Sequence, residues 1–423
     1  MRTTRRTLLR AAGSTIGALA IPAIGRASDK VKLTISHGIP NYPEMLAALS
    51  QAFTAKYPDA EVEFVASENW DPLLQKTLRE ALVGSLPDGT LQQLAYAPIL
   101  ARRGILQPLD AFSGGIEKLA AMGLSRPLID ATMIDGRHYS LPFGTTIPVV
   151  YYNMNLLKQA GFSGAEPPKT WDEIVEIGSR VASLGGGVNG GYVEYTSTNA
   201  WMFQNILGAF GGRMMNPGQT DIAFDGPEGL WTLETLARFG QTNTVDMTTD
   251  QARQAFNSGS TGVHVRSASG INSVVKAASG RFELQVGQLP VPNPNGRLAG
   301  AGHGFFMFTK DPGRQKHLWD LVSFAAGPEG QAILAARTGY LPINMLALND
   351  PTFLDRYLAA NPHHRAVVER LSITGDQFSF PTDNTVKIVD MMAEVMRQVV
   401  RQQTKPEAAL AMMSEQTRRL LGA

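Results

Sequence analysis

The chain has no cysteine in 423 residues. That excludes disulfides, thiolate metal sites and cysteine nucleophiles. It also lacks a charge excess: 38 lysines and arginines face 37 aspartates and glutamates, so nothing provides an electrostatic footprint for nucleic acid. No apolar run reaches the ~20 residues that cross a bilayer as a helix. No repeat of fixed period and no low-complexity tract interrupts the sequence. The seven histidines (His37, His138, His264, His303, His317, His363 and His364) nowhere form H-x-x-x-H or H-E-x-x-H. The His363-His364 pair, next to Asn361-Pro362, reads as an exposed turn. No metal and no cofactor is expected.

Catalytic signatures are missing as well. Ser267-Ala268-Ser269-Gly270 is not a nucleophile elbow, which needs G-x-S-x-G between strand and helix. Gly185-Gly186-Gly187 with Val188 to Gly191 lacks the Lys-Ser/Thr ending of a phosphate-binding loop and reads as a flexible loop. No paired carboxylates sit in a context that marks a glycosidase.

The amino terminus is informative. Arg5-Arg6 precedes a mild apolar run, Ala11 to Ile24, followed by small residues around Gly25-Arg26-Ala27. This pattern predicts a twin-arginine export signal over 1–27 and a periplasmic protein beginning near Ser28. An ordinary secretory signal is the alternative. Met1 to Ala27 holds five arginines and no acid, which leaves 33 basic and 37 acidic residues, net −4, for the remainder.

About 396 residues then remain, more than one core usually supports, so two lobes are expected. Val31 to His37 alternates apolar and polar as a strand does. A helix to Lys56 and a second strand, Glu61 to Val65, complete a βαβ unit. Thr146 to Asn153 is apolar nearly throughout, as a buried strand should be. Thr170 with Glu173 three residues on forms a capping box that opens a helix. Strands are also expected at 262–266, 282–289 and 302–308, and mostly helix after Pro351. Alternating strands and helices give an α/β fold.

In open α/β sheets ligands collect at strand ends. Polar and aromatic residues gather at such positions: His37, Asn69-Trp70, Thr145-Thr146, Trp201, Arg266-Ser267 and Gly302-His303.

Four stretches carry a resemblance: Gly104 to Asp110; Leu141 to Asn153; Ala160-Gly161 with Pro167 to Ile174; and Thr338 to Asn344 (Thr-Gly-Tyr-Leu-Pro-Ile-Asn). In order and spacing the chain resembles the extracellular solute-binding proteins of carbohydrate-type ABC importers. Its nearest likeness is to the branch holding the glycerol-3-phosphate and maltose binders. The resemblance implies a type II periplasmic-binding-protein-like fold: two α/β lobes, a ligand cleft between them and a helical carboxy-terminal segment. It divides the chain into a first lobe (28–142 and 302–340) and a second (143–301 and 341–423), crossing near Gly144, Ala301 and Leu341.

By the same resemblance the ligand-binding residues are Trp70, Thr146 with Thr145, Trp201, Ser267 or Ser269, Gly302 and Tyr340. The strand-end reading adds His37, Asn69, Arg266 and His303. The implied partners are a small carbohydrate or polyol and the membrane permease of an ABC importer, with the protein a monomer and not an enzyme. Two departures separate it from the glycerol-3-phosphate binder. No glutamate lies near Leu94-Ala95-Tyr96, and Phe378 stands where a phosphate-facing arginine is expected. Arg266 and His303 are cationic or donor groups not expected in that binder; they either receive an acidic or phosphorylated polyol in another way or donate to neutral hydroxyls. An exported hydrolase of glycans or phosphoesters is the alternative function. A receptor subunit feeding a chemotaxis or sensor system is a third reading on the same fold.

Overall fold

A computed structural model describes residues 30–124, 129–130, 132–196, 198–242, 247–348, 356–357 and 359–422. The expected export signal at 1–27 lies outside them. Nine strands build two sheets: β1 (Val31–His37), β2 (Ala60–Ala66), β3 (Gly89–Gln93), β4 (Ser140–Gly144), β5 (Pro148–Asn153), β6 (Asn189–Val193), β7 (Thr261–Ser267), β8 (Leu284–Gln288) and β9 (His303–Met307). The helices that matter most here are α1 (Pro43–Lys56), α2 (Trp70–Val83), α3 (Trp171–Ala182), α4 (Trp201–Ala209), α5 (Pro227–Gln241), α6 (Thr249–Asn257), α7 (Pro312–Ala326), α8 (Pro328–Arg337), α9 (Thr385–Val400) and α10 (Pro406–Leu421).

The first sheet runs β2-β1-β3-β9-β4. Its βαβ start is parallel, and β9, arriving from much later in the chain, inserts antiparallel between β3 and β4. The second sheet runs β8-β5-β7-β6. Each sheet has its own buried apolar cluster. Leu33, Ile35, Leu91, Phe305 and Phe306 centre one; Val150, Tyr151, Tyr152, Val263 and Val265 centre the other. Two separate cores are what a chain of this length requires. Helices α9 and α10 bury Ile388, Met392, Met396, Leu410 and Met413 in the second cluster.

Local chemistry sets the element ends. Asn69 caps α2, its side chain accepting from the Trp70 amide at 2.8 Å, and Gly84 closes that helix at φ 70°. A left-handed residue at this position favours glycine, which has no Cβ to clash. The Thr170–Glu173 capping box forms at α3 as expected, with both reciprocal hydrogen bonds made. A second box, Thr248 with Gln251, opens α6.

Three chain segments cross between the sheets, and they are hydrogen-bonded to one another. The Ala301 amide donates to the Thr146 carbonyl, and the Leu341 amide to the Thr145 carbonyl, each at 2.9 Å.

Two expectations need correction. Asn189 to Val193 is not part of a flexible glycine loop but the buried edge strand β6. Its glycines serve close packing: a Cβ on Gly190 would lie 2.0 Å from the carbonyl oxygen of Gly178 in α3. Nor is His364 on an exposed turn. It is buried, its Nδ1 pairs with the Tyr357 hydroxyl, and its Nε2 lies 3.2 Å from Asn272 Oδ1. Strand β3 escapes the sequence reading because Gly-Thr-Leu-Gln-Gln has no apolar alternation. It is nonetheless buried, with the Thr90 hydroxyl donating to the Ser36 carbonyl at 3.1 Å.

Candidate functional site

The two sheets point loop ends at a shared cleft of about 730 Å³. From the first lobe come the α2 start (Asn69, Trp70), the end of β3 (Gln93), the start of β9 (His303), Tyr340, and Tyr42 just before α1. From the second come Thr146, the segment after β6 (Glu194, Tyr195), Trp201, Arg253 on α6, and Arg266, Ser267 and Ser269 at the end of β7. Arg397 of α9 and Arg401, just past its end, reach the rim. A wider depression along α10, about 890 Å³, is lined by Glu407, Arg418 and neighbours on that helix, with Asp225 from the segment before α5. It offers no aromatic face and draws on one lobe only, so the interlobe cleft is the better candidate for a small ligand.

On the first-lobe side, His303 is the floor. Its imidazole lies 4.4 Å from the Tyr340 ring centroid, 5.6 Å from that of Trp70 and 5.7 Å from that of Phe143. It is 1% exposed, and neither ring nitrogen has a hydrogen-bond partner within the protein. Burial pushes its pKa down to about 3, so the ring is neutral and offers one donor and one acceptor. Gln93, its partner in the β3–β9 register, is also buried and its Oε1 has no partner within the protein.

On the second-lobe side, three hydroxyls form a closed cluster. Thr146 Oγ1 lies 3.0 Å from Ser267 Oγ, which lies 2.8 Å from Ser269 Oγ. The Ser269 amide donates to Thr146 Oγ1 at 3.0 Å and to Ser267 Oγ at 3.1 Å. Trp201 spends its indole N–H on the Ala299 carbonyl at 2.6 Å, which leaves its ring as the part that can face a ligand.

Behind the hydroxyls sits a buried ion cluster. Glu194 accepts a bidentate pair from Arg253, Nε to Oε1 and Nη2 to Oε2, both 2.8 Å. Its Oε1 also lies 3.3 Å from His264 Nε2 and 3.5 Å from Arg266 Nε. Burial opposes the Glu194 charge, but Arg266, Arg253 and His264 outweigh it and hold its carboxyl well below the usual carboxylate range. Burial acts oppositely on His264 and lowers its pKa despite the carboxylate.

Nine of the twelve sequence candidates line this cleft: Asn69, Trp70, Thr146, Trp201, Arg266, Ser267, Ser269, His303 and Tyr340. Three lie outside the lining. His37 is turned into the first lobe, its Nδ1 accepting from the Ile39 amide at 3.3 Å and its ring edge-on to Phe64. Thr145 sits in the crossing, bridged to Leu341. The Gly302 amide already donates to the Gly300 carbonyl at 3.0 Å, so it is spent before a ligand arrives. Phe378 is half-buried against the second core, its amide donating to Gln204 Oε1. The sequence reading missed Tyr42, Gln93, Glu194 and Arg253. Glu194 follows directly on β6, so recognising that strand would have placed a carboxylate at a strand end.

A sequence profile of the bacterial extracellular solute-binding protein family matches residues 48–365. The sn-glycerol-3-phosphate-binding periplasmic protein UgpB of Agrobacterium fabrum is 24% identical over 319 residues, 73% of this chain and 66% of that protein. Among solved structures, UgpB from Mycobacterium tuberculosis in complex with glycerophosphocholine superposes with a TM-score of 0.81 at 20% identity, covering 92% of this chain and 98% of that one. The ABC substrate-binding protein Lmo0181 from Listeria monocytogenes in complex with cycloalternan gives 0.80 at 19%, covering 93% and 100%.

Proposed function

This chain belongs to the bacterial extracellular solute-binding proteins, and from that premise we propose that it is the substrate-binding component of an ABC importer, taking a sugar, polyol or glycerol-phosphate-like solute. The observation that carries this reading is the convergence of both lobes on one cleft. Flat faces of Trp70, Trp201 and Tyr340 meet the unpartnered polar atoms of His303 and Gln93 and the Arg266 guanidinium. A mostly preformed pocket with a few placed polar groups is what small-ligand recognition needs. The C–H face of a sugar or polyol packs on the rings, and its hydroxyls take the directed bonds. Micromolar affinity, about −8 kcal/mol, is within reach of several such bonds and one stacked face after the cost of closure.

The hydrogen-bonded crossings at Thr145-Thr146, Ala301 and Leu341 serve as the hinge about which the lobes close. The twin-arginine segment delivers the protein to the periplasm. There the closed monomer docks on a membrane permease driven by a cytoplasmic ATPase. The test is a thermal-shift screen of the purified chain against mono- and oligosaccharides, sugar alcohols and glycerol phosphodiesters. Saturable stabilisation without conversion of the solute is expected. Turnover of the solute by the isolated chain, or stabilisation by none of these classes, overturns the proposal.

A further inference from the structure

The second-lobe wall of the cleft holds more positive charge than its buried carboxylate neutralises. Glu194 is 3% exposed and commits both oxygens to Arg253 at 2.8 Å. Arg266, 8% exposed, stands off the same carboxylate at 3.5 Å, and its Nε makes no hydrogen bond within the protein. Its guanidinium lies 5.9 Å from the Tyr151 ring centroid and over the Gly270 backbone, where a Cβ would come within 2.4 Å of Nη2. His264 adds no negative charge. The other carboxylates at the cleft, Glu68 and Asp250, are exposed, and Asp250 faces Arg253 at 3.6 Å. On the rim, Arg397 of α9 is already paired with Glu394 on the same helix, and Arg401 follows the helix end. Buried charges are normally paired, and arginine does not shed its proton. The fork of a guanidinium is matched to the two oxygens of a carboxylate or phosphate.

We propose that the solute bears an oxyanion, as a phosphate ester or a carboxylate, and that this group seats on Arg266 beside the Ser267 and Ser269 hydroxyls. The uncharged remainder then lies towards His303, Gln93, Trp70 and Tyr340. The inference rests on the solute-binding reading above and narrows it from hydroxylated solutes to acidic ones. It also gives a physical place for the anion that does not depend on the position occupied by Phe378.

The experiment is a calorimetric titration of the purified chain with matched pairs: glycerol against glycerol 3-phosphate, and glucose against glucose 6-phosphate and glucuronate. At least one anionic member is expected to bind tenfold or more tightly than its neutral partner, and less tightly as salt rises. Whether phosphate or carboxylate wins identifies the source of the oxyanion. Arg266→Gln is expected to remove most of that preference and Arg266→Lys to keep part of it. An anion preference that survives intact in a folded Arg266→Gln variant overturns the assignment. Neutral solutes binding as tightly as their anionic partners to the unmutated chain also overturn it, while leaving the solute-binding function standing. Binding of no solute in a broader panel removes both.

Discussion

The Tyr42 hydroxyl, from the first lobe, donates to the main-chain carbonyl of Ser269, in the second, at 2.9 Å. The same carbonyl accepts from the Gly339 amide at 3.0 Å, and the Tyr42 ring packs edge-on against Tyr340, 5.6 Å between centroids. One carbonyl thus ties together a cleft wall and the segment returning through the crossing. A net hydrogen bond is worth about 1 kcal/mol, so Tyr42→Phe is expected to shift the closed–open balance by about fivefold. Small-angle scattering should report a larger mean radius, and stopped-flow measurements a faster ligand release. Identical scattering and release rates would show that this contact does not hold the lobes together.

Trp70 is expected to be a major ligand contact. It starts α2, lines the cleft and packs against His303. Trp70→Ala should weaken solute binding at least tenfold, about 1.4 kcal/mol, with the circular dichroism spectrum retained. Unchanged affinity by calorimetry removes the indole from the contact surface. A lost spectrum assigns it to the core instead.

His303 makes stability depend on pH in a definite direction. Its pKa falls from 6.5 to about 3 on folding, so below 6.5 the unfolded chain binds more protons at this site. Its contribution is complete above that pH and is lost as pH drops towards 3, by at most about 1.4 kcal/mol per unit. Asp71 works the other way, since burial raises its carboxyl from 3.8 to about 6, and it gains stability as pH falls through that interval. The comparison must therefore be between His303→Gln and the unmutated chain. Melting temperatures between pH 7 and 4.5 should fall less steeply in the variant; parallel slopes would contradict the buried neutral imidazole.

Much of this architecture was legible because apolar patterning and capping chemistry are local. Val31 to His37 alternates, Thr146 to Asn153 is apolar nearly throughout, and the Thr170–Glu173 box marks its helix. Each of those signals survives in the structure. Strands β3 and β6 were illegible for a physical reason. Gln92 is polar but satisfied inside the fold, Gln93 is polar and lines the cleft, and Gly190-Gly191 gives up side chains so that β6 can approach α3. Local composition then looks like a loop, while tertiary packing makes a strand. At the site, residues at recognised element ends were found. Glu194 was hidden by the missed strand, and Arg253 lies on a helix face whose partner only the fold reveals. The family resemblance and the strand-end reading both point to Gly302 and Thr145, but only the hydrogen-bond pattern tells that the first has its amide engaged and the second belongs to the crossing.

That hidden carboxylate yields a strong expectation. Glu194 is the single buried anion facing Arg253 and Arg266 among the described residues of the cleft. Glu194→Gln keeps the shape but leaves Arg266 without a counter-charge and Arg253 with only the exposed Asp250 at 3.6 Å, a change of the kind that costs about 3–5 kcal/mol. The folded-state pKa of this group is depressed, so its contribution is present above about pH 4.5 and is lost only as pH falls through the lower folded value. The deficit of the variant in chemical denaturation should therefore be nearly constant from pH 5 to 8. A deficit that appears only at acid pH would mean that the carboxylate is not ionised in the folded state. If the deficit is under about 1 kcal/mol, in the range of exposed pairs, water rather than Glu194 balances these arginines.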